Sequence, residues 1–114
     1  MKSSLAILAA AFAFGAAAQA APKAESAVEC GIAADMAVVA RSLAEEQVQR
    51  PKASAIMARI YDVSESDRGQ ELMKEILEAA YGKQAVTSQN FAEELFTACI
   101  KDGGNMDTIL GKRL

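Results

Sequence analysis

The chain has 114 residues with 12 basic and 15 acidic side chains, a formal net charge of −3, no His and no Trp. Without His, neither a Ser-His-Asp nor a Cys-His catalytic set can be built within the chain, and the commonest metal ligand is missing. The acidic balance excludes the basic footprint that phosphate backbones require, so no nucleic acid partner is expected.

Met1 and Lys2 open the chain, and Leu5 to Ala18 is an uncharged apolar run ending in Ala18-Gln19-Ala20. A charged start, a short apolar segment and a small-x-small site describe a secretory signal peptide, residues 1–20, with cleavage after Ala20. A spanning helix would need about 20 apolar residues, and Pro22, Lys23 and Glu25 arrive too soon, so no membrane attachment is expected after cleavage. The expected location is periplasmic or extracellular. The rest, about 94 residues, suffices for one small domain with a thin stability margin.

Residues 21–26 read as a flexible leader, 27–102 as a helical domain and 103–114 as a C-terminal tail. Ser26 and Glu29 form an S-x-x-E capping box, and a first helix is expected from Ala27 to Val48. Its apolar stripe is Val28, Ile32, Met36, Val39 and Leu43, with Arg41 off it. Cys30 falls on another flank, with Ala34, Ala37 and Val38, which implies either two buried faces or an irregular turn near Gly31.

Pro51 ends this helix and opens a second, Lys52 to Tyr61, with Ala53, Ile56, Met57 and Ile60 inward. Ser64 or Ser66 caps a third helix, Glu65 to Tyr81, whose stripe is Leu72, Met73, Ile76, Leu77 and Ala80. Gly82 stands where a left-handed terminator belongs. Thr87 or Ser88 caps a fourth helix to Lys101, with Phe91, Ala92, Leu95, Phe96 and Cys99 on one face. Asp102-Gly103-Gly104-Asn105 breaks it, and Met106 to Leu114 forms one more turn or hangs loose.

No segment shows a strand pattern. The expected fold is all-α: a small four-helix up-and-down bundle or an irregular helical array. Two Cys in an exported chain imply one structural disulfide, Cys30 to Cys99, the alternatives being free thiols or pairing between chains.

Candidate chemistry is sparse. The carboxylate groups Glu45/Glu46, Glu71/Glu75/Glu78 and Glu93/Glu94 sit at spacings that point most of them to solvent, without nitrogen or thiolate partners. No catalytic residue, cofactor or metal is expected. Met57, Tyr61 and Tyr81 are candidates for contact with a protein partner, because flexible Met and helix-closing Tyr are common at interfaces.

The stretches Glu29-Cys30-Gly31-Ile32-Ala33, Arg59-Ile60-Tyr61, Ala80-Tyr81 and Asn90-Phe91 through Ala98-Cys99-Ile100 resemble those of small secreted helical proteins of proteobacteria with a Cys near each end. That resemblance implies an exported helical domain and brings no activity with it. Acid-activated periplasmic chaperones and periplasmic immunity proteins share the gross plan. The expectation is therefore a non-enzymatic protein acting by protein–protein contact, in a chaperone-like stress role, or alternatively as an inhibitor or immunity protein against a toxin or hydrolase.

Overall fold

A computed structural model describes residues 24–63, 65–82 and 86–111. The expected signal peptide, residues 21–23 of the leader, Ser64 and the last three residues lie outside them. Among the described residues five helices follow in order: α1 (Ala27–Glu45), α2 (Arg50–Tyr61), α3 (Asp67–Gly82), α4 (Ser88–Lys101) and the short α5 (Asp107–Leu110). Among the described residues there is no strand.

Local chemistry sets the helix ends. Ser26 Oγ accepts the Glu29 N–H at 3.2 Å, opening α1. Glu29 reaches back to the N–H of Glu25 at 2.9 Å, one residue before the cap. Ser66 Oγ accepts the Gly69 N–H and opens α3, and Thr87 Oγ1 accepts the Asn90 N–H and opens α4. Pro51 lies in the first turn of α2, where its missing N–H costs nothing.

The sequence pattern extends α1 to Val48 and ends it at Pro51. The helix stops at Glu45 instead. Gln47 takes a left-handed conformation (φ 62°), Gln47 N–H bonds to Ala44 O and Val48 N–H to Leu43 O. This is a Schellman closure, usually built on Gly. A left-handed L-residue costs about 1–2 kcal/mol, and extra freedom of Gly in the unfolded chain returns part of that. Gln47→Gly should therefore stabilise by about 0.5–1 kcal/mol, read as a raised urea midpoint with unchanged slope.

A second closure of the same kind ends α4. Gly103 is left-handed (φ 66°) and Gly104 N–H bonds to Cys99 O at 2.7 Å. Gly82, by contrast, is the last residue of α3 and is not left-handed, so it does not terminate the helix as its position suggests.

Helix α1 is the hub. It packs most extensively on α4, then on α3, then on α2; α2 also touches α3, and α5 bridges α3 and α4. Contacts give the directions. Glu29 meets Arg68 at the start of α3, and Arg41 meets Ala80 at its end, so α1 and α3 are parallel. Cys30 joins Cys99 at the end of α4, while Arg41 meets Val86 just before its start, so α1 and α4 are antiparallel. Consecutive α3 and α4 thus lie mainly on α1 rather than on each other, which makes the fold an irregular helical array, the second of the two expected arrangements.

The buried arc of α1 is Cys30, Ala33, Met36, Ala37, Ala40 and Arg41. That corrects the expected stripe: Val28 and Ile32 are 71% and 44% exposed. The helix runs regularly through Gly31, so one face, centred on small residues and Cys30, is the buried one. Alanine lets α3 and α4 approach α1 closely. Phe91, Met36, Met57, Ile76, Leu95 and Met106 fill the remaining core. On α2, Ile60 faces out, contrary to its expected inward position.

Parts of the expected leader and tail are packed, among the described residues. Ala24 is buried and donates its N–H to Gly104 O at 3.0 Å. Met106 is buried, and Ile109 and Leu110 pack against the core. A side chain at Gly104 would place its Cβ 2.0 Å from Ala24 O, and Gly104 has φ +97°. Gly104→Ala should destabilise by about 1–3 kcal/mol and remove the hydrogen-exchange protection of the Ala24 amide.

Candidate protein-binding surface

The disulfide anchors everything else. Cys30 and Cys99 Cα atoms are 5.7 Å apart, and both side chains are buried. Ala24, Glu25, Ala27, Ile100 and Gly104 line an open cleft beside the bond. The expected pairing is thus the one found.

The three sequence-nominated contact residues separate. Met57 is fully buried between helices and cannot meet a partner in this packing, because its place in α2 lines up with Ala53 on the inward face. Tyr61 is half-buried at the end of α2 and donates its hydroxyl to Asp35 Oδ2 of α1 at 2.5 Å. Burial first, then the Asp35 bond and charge, push its phenol far above the ordinary range, so it stays neutral at physiological pH. Tyr81 is half-buried at the end of α3 and donates its hydroxyl to Val48 O, while the Arg50 guanidinium lies 5.6 Å from its ring centre. Burial raises its phenol, with Arg50 opposing. Both tyrosines tie helices together.

Polar groups expected at the surface also turn inward. Arg41 is buried, donating Nε to Val86 O at 2.7 Å and Nη1 to Ala80 O at 3.3 Å. It clasps the last turn of α3 and the chain entering α4, where carbonyl dipoles favour a cation. Glu75 on α3 is likewise buried. Among the described residues, no three His, Cys, Asp or Glu side chains converge as a metal site would require.

Glu29 takes part in an exposed ion-pair cluster, with Arg68 Nη2 at 2.6 Å. The Glu25 N–H above all, helped by Arg68, holds its carboxyl below the usual range in spite of desolvation. A lowered folded-state pKa contributes stability that is present at neutral pH and lost as pH falls through the carboxylate range. The pair is screened by water, so its share is below about 1 kcal/mol. Acidification from pH 7 to pH 3 should lower Tm, and Glu29→Gln should shrink that drop by no more than about 5 °C.

The most unusual feature is the outer seam between α1 and α4. Val38, Phe96 and Ile100 are 38%, 41% and 48% exposed. The sequence pattern places Phe96 with Phe91 and Leu95 in the core. It lies instead at the edge of that face, beyond Ala92 and toward α1. Ala34 and Val38 of α1 and Ser88, Gln89, Ala92, Glu93, Phe96 and Thr97 of α4 line an open groove of about 590 Å³ there. Ile100 stands one turn beyond Phe96 and extends the apolar ridge toward the disulfide. A larger groove between α2 and α3, about 720 Å³, is ringed by Arg50, Lys74, Glu71 and Glu78, and none of its lining residues is an exposed large apolar side chain.

Fold and surface together define a small all-helical domain stapled by one disulfide, with an apolar seam open to solvent. No protein-family model matches the chain, and no curated protein or solved structure does. Among the described residues, no helix is long and apolar enough to cross a membrane.

Proposed function

We propose that this chain is an exported protein that works by binding other proteins and carries out no chemistry of its own. The observation that supports this reading is the α1/α4 seam. A folded domain of this size gains stability by covering large apolar side chains, and this one leaves Val38 and Phe96 open in the groove and Ile100 open just beyond its end. Apolar side chains grouped beside polar ones are the usual makings of a binding site. Export is supported by residues 1–20, with their charged start and apolar run, and by the disulfide, since such bonds persist in oxidising compartments.

Two versions differ in when binding occurs. A chaperone-like stress role would use acid: carboxylates lose charge together, the Glu29–Arg68 pair weakens, and packed apolar surface opens. An inhibitor or immunity role would use the seam as it stands at neutral pH. The exposed Phe96 of the folded state favours the second, because that surface needs no opening.

The test is recovery of partners from periplasmic extract with the native chain and with Phe96→Ser, at pH 7 and pH 3. One stoichiometric partner at pH 7, lost in the variant, supports the inhibitor version. Protection of aggregating clients only at pH 3 supports the stress version. Absence of both, with intact folding, overturns a contact role.

A further inference from the structure

Resting on that reading, we infer that the partner element seated in the α1/α4 groove is an amphipathic helix with basic flanks. The groove runs from Ser88 to Thr97 along α4, about 14 Å at 1.5 Å per residue, which matches some two and a half turns of a docked helix. Its floor is small (Ala34, Ala92) and its ridge is large (Val38, Phe96), the relief into which apolar side chains of a helix can interlock.

Charge selects the occupant. Away from the Glu29–Arg68 pair and from Asp35, which accepts from Tyr61 of α2, the exposed charges on α1 and α4 are Glu45, Glu93 and Glu94, opposed only by Lys101 at the disulfide end of α4. Arg41, the other cation of these two helices, is buried and turned toward α3. Glu93 lines the groove, and Glu45 continues the Ala34–Val38 row, seven residues beyond Val38. Among the described residues, the exposed basic side chains other than Lys101 lie on α2 and α3: Arg50, Lys52, Arg59, Arg68 and Lys74. An apolar groove with an acidic rim attracts a helix bearing Lys or Arg beside its apolar stripe and repels an acidic one. Two copies meeting through this face would set Glu93 against like charge.

The experiment uses the full mature chain and a fluorescent 18-residue Leu/Lys amphipathic helix as probe, followed by anisotropy. Controls are a scrambled Leu/Lys peptide and a Leu/Glu helix. The expected result is saturable binding of the Leu/Lys helix only, at least 10-fold weaker in Phe96→Ser. In Glu45→Lys/Glu93→Lys it should be about 5-fold weaker, with a flattened salt dependence, and it should be unchanged in Lys74→Glu. All four positions are exposed, and circular dichroism melts check that each variant keeps its fold. Equal binding of the Leu/Glu or scrambled peptide, indifference to Phe96→Ser, or self-association in sedimentation that Phe96→Ser abolishes would overturn the assignment. A photocrosslinker at position 96 and another at position 74, used in cells, separate the two levels. Failure of the peptide with crosslinks to one protein from position 74 sinks this site but leaves a contact role standing. Failure of the peptide with no crosslinks from either face sinks both.

Discussion

Replacing both cysteines by alanine should cost about 4–5 kcal/mol, the largest loss expected from any small change in this domain. The bond spans 69 residues of sequence, and closing a loop of that size removes this much chain entropy from the unfolded state. A domain of this length holds only about 5–15 kcal/mol in total. The pair variant should therefore lose roughly 20 °C or more in Tm and sit near the edge of folding at 37 °C. Alanine is the better replacement, since both positions are buried and a serine hydroxyl would need a partner there. A urea midpoint within error of the native chain would show that the helices hold their places without the staple. Because Cys30 and Cys99 are both buried, reduction of the folded protein should be slow and should follow its opening.

Arg41→Met is expected to cost about 2–4 kcal/mol. Exchanging a buried charge for an apolar side chain can be neutral when its partners are exchanged as well. At this site the partners are main-chain carbonyls of Ala80 and Val86, which no substitution can remove. Each would be left short of a donor in a buried or half-buried place, at about 1–3 kcal/mol apiece before relaxation. The favourable meeting of a cation with the end of α3 would go too. Arg41→Lys should recover part of the loss, because one ammonium cannot span both carbonyls as the planar guanidinium does. Urea unfolding of the three proteins measures the series, and Arg41→Met as stable as the native chain would refute this account of the clasp.

Much of the architecture was legible in the amino-acid sequence because it rests on local chemistry. Ser26, Ser66 and Thr87 announce helix starts through their side-chain oxygens, and the Gly103-Gly104 pair announces a stop. The α3 stripe from Met73 to Ala80 and the Cys99 face of α4 follow the helical period and are buried as that period implies. What escaped depends on which neighbour each helix finds. On α1, size suggested that Val28 and Ile32 face inward, yet α1 is crowded by α3 and α4 on its alanine side. The clue present in the sequence was Cys30: taking a disulfide partner as the centre of the buried arc selects Ala33, Ala37 and Ala40. The end of α1 was misplaced because Gln47 does the work of a glycine. Arg41, buried, and Phe96, exposed, depart from the helical period for one reason. Periodicity ranks residues around a helix but does not say how wide the covered arc is, so residues at its edges can fall on either side.

The alanine face of α1 has a consequence for which substitutions lineages of this chain can tolerate. Ala33, Ala37 and Ala40 are completely enclosed, so a longer side chain at any of them would wedge the hub away from its neighbours. Val28, larger and apolar, stands in water and could be exchanged for almost anything. Selection on this domain should thus act most strictly on its smallest residues, reversing the usual rule that bulk marks the irreplaceable positions.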